Sequence, residues 1–508
     1  MLGLHPTRRD ILAVLLVGGV AFGWAAASKS AGSLEGFSLP TWVPVFGDPL
    51  VDWVPDLVTQ EEDLRQLRGE MARMPSIWEP KPGADIVVIV LDTVRADRMG
   101  LYGYDRATTP RIDAWAAGAR VYDRMQSDGA WTLPSHASLF TGKPPIAHGA
   151  HGTPLGSDLA APLADRSDTV ARSLRGAGYR TAGVVANRAF LHRMWGLSQG
   201  FDMWVCEQLR YDTYRLPYTS GDRVTEMAKA VLARPREAPL FLFLNYMDAH
   251  APWIPRRGYV RDADAIHKNL LPYHSGWESV TTRLLAQGTP APEAQRAWSE
   301  AYDSELRFLD EQVGALLDAL PGLGIDDDDY VFILSDHGEY LGEHALVEHS
   351  KDVYEEVLHV PLLVKGPGYR PGRDTQAIQT HDVASLILEA AGAGPLAGAQ
   401  RTEDLQVSEL YWSRHKDLKD ARYGRRFDRI RRAFRQGSNK LIVGSDGSRE
   451  AYDLSTDPRE LTSELGSPWV TALGARADAW LDGQQRAPEA RMAGPADLEA
   501  LRALGYVE

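Results

Sequence analysis

The chain has 508 residues, 44% hydrophobic and 24% charged, a balance that excludes general disorder and is enough for one large domain plus a smaller one. Its formal net charge of -14 disfavours nucleic acid and gives anionic substrates no long-range steering, so any anion site has to be local. Cys206 is the sole cysteine, which excludes an intrachain disulfide, and the lack of a Cys/His cluster argues against a structural zinc module.

At the N-terminus, Arg8 and Arg9 precede an uncharged apolar run over 11–27 that ends in Ala25-Ala26-Ala27. Paired arginines, an apolar segment and small residues resemble a twin-arginine export signal, so residues 1–27 read as an export signal or membrane anchor. Positive-inside logic then puts the bulk of the chain outside the cytoplasm, periplasmic or anchored on the outer side of the cytoplasmic membrane. Residues 28–83, rich in Pro, Trp and Gly around one short helical stretch at 59–74, read as a linker or stalk.

From Ala84 the character changes. DIVVIVLD at 85–92 is a continuous apolar, β-branched run, the pattern of a strand buried on both faces. Similar runs follow at 179–187, 239–248 and 330–336, with a helical pattern at 303–320. Alternating strands and helices predict an α/β fold with a mostly parallel central sheet and helices on both faces. Residues 256–300 show little periodicity and read as a surface insertion over the sheet rim. The stretch 414–435 is basic and reads as a solvated helix face in preference to an anion or membrane patch. FRQGSNKLIVGSDGSREAYDL, from 434, predicts a small antiparallel sheet, which divides the chain into a core at 84–395 and a C-terminal subdomain at 396–508.

Each apolar run stops at a polar residue: Asp92, Asn187, Asp248 with His250, and Asp336 with His337. One such Asp is ordinary turn chemistry, whereas four would meet on the rim where open α/β sheets bind ligands. WTLPSHASLFTG at 131–142 adds a helix with Pro134 in its first turn and Gly142 at its end, so Thr132 falls at the positive end of a helix dipole. A plain N-cap is the alternative for Thr132. A threonine hydroxyl becomes a nucleophile only with help, and one divalent cation held by Asp92, Asp336 and His337 would supply it. The mixed oxygen and nitrogen donors suit Zn²⁺ or Mn²⁺ somewhat better than Ca²⁺. His148, His151 and His344 sit in glycine-containing loops and read as surface residues or as supports for the site.

Taken together, LDTVRADRMGLYGY, TLPSHASLFTG, SDHGEYLGEH, VYEEVLHVPLLVKGPG, EAYDLSTDPRE and LRALGYV resemble the sulfatase branch of the alkaline phosphatase superfamily, from about residue 85 to 508. The resemblance implies a catalytic α/β domain with a small C-terminal sheet, and a metal on Asp92, Asp336 and His337 beside the nucleophile. It puts Thr132 in the place of the cysteine or serine that sulfatases convert to formylglycine. His349 and Lys351 fall where the family contacts the ester or leaving group, His250 resembles its acid or anion-binding histidine, and Asn187 matches a polar position lining the pocket. His136 stands where sulfatases have arginine. Threonine cannot be oxidised to an aldehyde, and relatives that use threonine act on phosphorus. The expected function is therefore hydrolysis or transfer of a phosphoester or phosphonate through Thr132. A sulfuric ester hydrolase without formylglycine and a silent exported protein binding an anionic glycan or lipid are the alternatives. Expected partners are a small anionic ester, lipid or glycan, with membrane attachment through the N-terminal segment.

Overall fold

The structure is a computed structural model that describes residues 83–154, 160–206, 218–274, 290–419 and 424–487, all within one compact unit. The 1–27 segment, the linker up to residue 82 and the closing LRALGYV motif lie outside the described residues. Among the described residues no helix is long and apolar enough to cross a membrane.

Strand β1 (Ile86–Leu91) has every residue buried, and its side chains alternate between two cores. Ile86, Val88 and Val90 enter one, and Val87, Ile89 and Leu91 enter the other. A period of two with both faces apolar requires a covered layer on each side of the sheet. One cover is the helices Thr132–Thr141, Val170–Gly176 and Thr380–Ala390, which contribute Leu133, Phe140, Leu174 and Ile387. The other comprises Pro110–Ala116, Gly221–Leu232 and Pro292–Ala319, which contribute Ile112, Met227, Leu309 and Val313.

Around β1 the sheet continues with β2 (Arg120–Gln126), β3 (Arg180–Val185), β4 (Met203–Val205), β5 (Leu240–Tyr246), β6 (Tyr330–Leu334), β9 (Leu362–Lys365) and β10 (Gly372–Gln379). A two-stranded ribbon, β7 (Tyr340–Leu341) and β8 (Val347–Glu348), stands apart from it. The eight strands are ordered β10-β2-β9-β6-β1-β5-β3-β4. All pairings are parallel except those of β9, which runs antiparallel to both β2 and β6. The mostly parallel sheet read from the sequence is therefore present.

Two stretches depart from their sequence reading. The described parts of 256–300, which exclude 275–289, are not a patternless insertion: they contain the helix Ala263–His274 and the first turns of Pro292–Ala319. Ala294, Ala297 and Trp298 there are buried in the core, and alanine's small apolar surface hides a helical stripe in sequence. The basic stretch is not a solvated helix face either, since its second half forms β12 (Ile430–Gln436). Arg431 there is 1% exposed and bonded to Asp352, while Arg432 meets Glu409. Charge content indicates solvation only when no opposite charge waits inside.

The C-terminal sheet is antiparallel, β11 (Leu405–Tyr411), β12, β13 (Asn439–Gly444) and β14 (Arg449–Asp453) in that order. It rests on the helix Pro468–Gly483 through Val407, Phe434, Leu441, Val470 and Leu473. It is joined to the main sheet by a bridge between Glu409 and Gly129, just ahead of Thr132, with Glu409 N–H donating to the Asp128 carbonyl at 2.8 Å.

Candidate active site

Parallel pairing carries the C-terminal ends of β1, β3, β5 and β6 to one rim, and Asp92, Asn187, His250, Asp336 and His337 follow those ends. The chain leaving β2 reaches the same rim and starts the Thr132 helix there. Trp131, in extended conformation, occupies the N-cap, so Thr132 is the first helical residue and not a cap. Its Oγ1 turns to the rim, 3.3 Å from Asn187 Nδ2 and 3.4 Å from His337 Nε2. The helix closes at Gly142, whose φ of 67° is the left-handed conformation that favours glycine.

The carboxylates are held from one side only. Asp92 Oδ2 accepts from Asn187 Nδ2 at 3.1 Å and from Asn245 Nδ2 at 3.2 Å. Asp336 Oδ1 accepts from the backbone N–H groups of Thr93, at 3.2 Å, and His337, at 2.9 Å. Thr93 makes that bond from a left-handed φ of 63°, a strained conformation for a β-branched residue. Among the described residues, Asp92 Oδ1 and Asp336 Oδ2 are buried with no hydrogen-bond donor. Burial, reinforced by the charge of Asp336, pushes the Asp92 carboxyl up to about 6, and burial pushes Asp336 up to about 7. His337 Nδ1–H donates to the Gly338 carbonyl at 2.9 Å, which leaves Nε2 as an acceptor facing the two acids. One donor atom from each of Asp92, Asp336 and His337 lies within 4.8 Å of the other two. Two carboxylate oxygens without donors and an imidazole lone pair, all desolvated, suit a divalent cation.

His136 lies one helical turn beyond Thr132, with Nδ1–H donating to the Thr132 carbonyl at 2.9 Å and lying 3.5 Å from Asp336 Oδ2. Its ring meets Phe243 and Phe140 edge-on, and burial lowers its pKa to about 3, so it brings no positive charge. On the opposite flank, His349 Nδ1 bonds Glu339 Oε1 at 2.7 Å, and its ring lies 4.5 Å from that of His337 and 4.8 Å from that of His250. His250 Nδ1 is bonded to the Ala251 carbonyl. Burial and the neighbouring His337 and His250 hold His349 well below its ordinary value, and burial holds Glu339 well above its own. Lys351, 2% exposed, forms an ion pair with Asp417.

The nine residues proposed for ligation or catalysis are thus described, and eight of them, Asp92, Thr132, Asn187, Asp336, His337, His136, His250 and His349, are linked by these contacts, whereas Lys351 pairs with Asp417. Asp248 turns elsewhere: its Oδ1 accepts from Gly221 N–H at 3.1 Å and pairs with Arg256 at 3.2 Å. His148 and His151 are buried and are not surface residues: one sits 3.1 Å from Ser138 Oγ, and the other stacks on Tyr411 at 3.8 Å. His344 stacks on Tyr354 at 3.9 Å and pairs with Glu356. Tight loops beside a core can bury imidazoles as flat packing pieces. Sequence reasoning missed Glu339, Asn245 and Asp417. Glu339 stands in SDHGEY, where an acid two residues past a candidate ligand was a usable signal; Asp417 carried none.

The sulfatase family signature matches residues 84–393. The chain is similar to an ulvan-active sulfatase of Formosa agariphila, 23% identical over 428 residues, spanning 78% of this chain and 80% of the relative. It is also similar to human arylsulfatase A, 25% identical over 438 residues, spanning 75% and 83%. In fold it is similar to the phosphonate monoester hydrolase of Agrobacterium radiobacter, with a TM-score of 0.60 and 18% identity over 78% of this chain and 95% of the other. With the family match over more than half its length and a rim of paired acids and imidazole, the chain belongs to the sulfatase family of the alkaline phosphatase superfamily, hydrolases of sulfuric or phosphoric esters.

Proposed function

We propose that this protein is a metal-dependent hydrolase or transferase acting on a phosphoester or phosphonate, with Thr132 as its nucleophile. The observation that carries this reading is the position of Thr132 Oγ1 between Asn187 Nδ2 and His337 Nε2, beside two buried carboxylates with undonated oxygens. Asp92, Asp336, His337 and Thr132 would hold one divalent ion, Zn²⁺ or Mn²⁺ ahead of Ca²⁺. Such an ion supplies charge neutralisation for the ester oxygens and lowers the proton affinity of a nearby hydroxyl.

The chain's own groups do the rest. Asn187 donates to both Asp92 and Thr132, which fixes the hydroxyl rotamer so that an oxygen lone pair faces the substrate. Thr132 Oγ forms a bond to phosphorus in line with the departing ester oxygen, and the P–O bond to the leaving group breaks. The proton that Thr132 Oγ gives up is taken by the neutral imidazole of His250 or His349, which passes it to the departing oxygen. Water or another acceptor then displaces phosphate from Thr132 Oγ. Lys351 contributes positive charge facing the equatorial oxygens.

A second reading, sulfuric ester hydrolysis without formylglycine, is favoured by the sulfatase names of the relatives. It needs the same nucleophile and ligands. Turnover of aryl phosphate, phosphonate and sulfate esters by purified, ion-loaded protein separates the two, and a fall in kcat of about three orders of magnitude in Thr132→Ala is expected under either. Unchanged turnover in that variant rejects both. Outside the site, the paired arginines and the 11–27 apolar run support export to the outer side of the cytoplasmic membrane, with lipid or glycan esters within reach.

A further inference from the structure

The loop that carries His349 and Lys351 is bent in an unusual way. Glu348 and Ser350, which flank His349, have left-handed φ values of 66° and 61°, and His344 and Ala345 just before them have 54° and 57°. Four non-glycine residues in that region within seven positions cost free energy that local sequence does not repay, so other parts of the fold have to hold the loop.

The holding contacts come from one short segment that follows β11 in the C-terminal sheet. Ser413 Oγ–H donates to the Ser350 carbonyl, Arg414 pairs with Glu348, and Asp417 pairs with Lys351. Ser413 Oγ also lies 2.8 Å from Asp417 Oδ2. These contacts therefore grip three of the four residues from 348 to 351 and leave His349 to Glu339. On its other side the loop is anchored to the segment ahead of Thr132, where Ser350 N–H donates to the Ala130 carbonyl at 3.1 Å.

Resting on the functional reading above, we infer that residues 413–417 act as a clamp on the loop that carries His349, with Asp417 as the positioning residue for Lys351. A lysine has four rotatable side-chain bonds, and its ammonium is a point charge with no preferred direction. The buried Asp417 carboxylate, with Glu348 4.0 Å from the same ammonium, sets where the charge sits before an ester arrives. In this arrangement the C-terminal sheet is part of the machinery that binds the anion, because it supplies the tether.

The test is orthovanadate binding by calorimetry to the ion-loaded full chain. Asp417→Asn is expected to weaken vanadate binding about tenfold while metal content stays that of wild type, the size of one lost charge-assisted contact. Lys351→Met is expected to weaken it similarly, and the double variant no further than Lys351→Met alone, since one residue acts through the other. Vanadate binding unchanged or tighter in Asp417→Asn, or single effects that multiply in the double variant, overturns the clamp. If Asp417→Asn does not fold, Ser413→Ala keeps both ion pairs and is expected to weaken binding about threefold, and no change there overturns the proposal equally. Failure of ion-loaded wild type to bind vanadate at all overturns the ester-hydrolase reading and the clamp with it, whereas binding that Asp417→Asn leaves intact overturns the clamp alone.

Discussion

The rim site and the seam under the C-terminal sheet are both buried polar clusters, and they are built in opposite ways. At the seam Glu355 and Asp352 each meet cations. Glu355 accepts from Lys440 at 2.8 Å and Arg435 at 2.7 Å, with Gln126 at 2.9 Å, and Asp352 meets Arg431 at 2.9 Å. Burial would raise the Glu355 carboxyl, yet Arg435 and Lys440 hold it well below the usual range. At the rim, Asp92 and Asp336 have only amides and imidazoles around them, and both rise to about 6 and 7. Burying two acids without a counter-charge is costly, so the seam is a finished structural joint and the rim waits for a positive charge from elsewhere.

The strongest way to break this contrast is at Thr132, the proposed nucleophile. Thr132→Ala should lower kcat by about three orders of magnitude, roughly 4 kcal/mol of transition-state stabilisation, with no fall in melting temperature. Steady-state kinetics beside a thermal melt checks it, and a joint loss of activity and fold would mean that Thr132 is structural. The seam should behave in reverse. Lys440→Met removes a buried cation from Glu355 and Glu460 and is expected to cost about 3 kcal/mol of stability by denaturant titration, while the bound ion per chain stays constant.

Chelation sharpens the same division. An ion present at about a hundredfold its dissociation constant stabilises the fold by roughly 2.7 kcal/mol, so stripping it should lower the melting temperature and abolish turnover, and adding it back should restore both. The last expected effect is with pH. In the ion-free chain the folded values of Asp92 and Asp336 lie above the ordinary 3.8, so the folded state binds more protons than the unfolded one between about pH 4 and 7. These two acids therefore make the ion-free protein gain stability as pH falls from neutrality toward 5. The gain should shrink in Asp92→Asn, and an equal pH response in that variant would remove the rim acids as its source.

Much of the site was legible because its parts sit at the ends of strongly patterned strands. IVVIVL and YVFIL announce themselves as doubly buried, so Asp92, Asp336 and His337 could be named as strand-end residues before any coordinates. Strands β2 and β9 were not legible. RVYDRMQ is only partly buried and mixes charge with apolar residues, and LLVK is too short to show a period. The same limit hid the first turns of the Pro292–Ala319 helix. Arg431 looked like a surface charge because its partner Asp352 lies 79 residues away in the chain.

By itself the amino-acid order determined the α/β architecture and the candidate ligands, since these depend on local periodicity and on side-chain chemistry at the strand ends. Only the tertiary structure decided which acids would be neutralised and which left exposed to one another. It paired Lys351 with Asp417 across 66 residues, turned Asp248 toward Arg256, and left Asp92 and Asp336 facing each other across the rim. The physical reason is that a charge is stabilised by whatever lies within a few ångströms of it, and in a folded chain those neighbours come from distant strands.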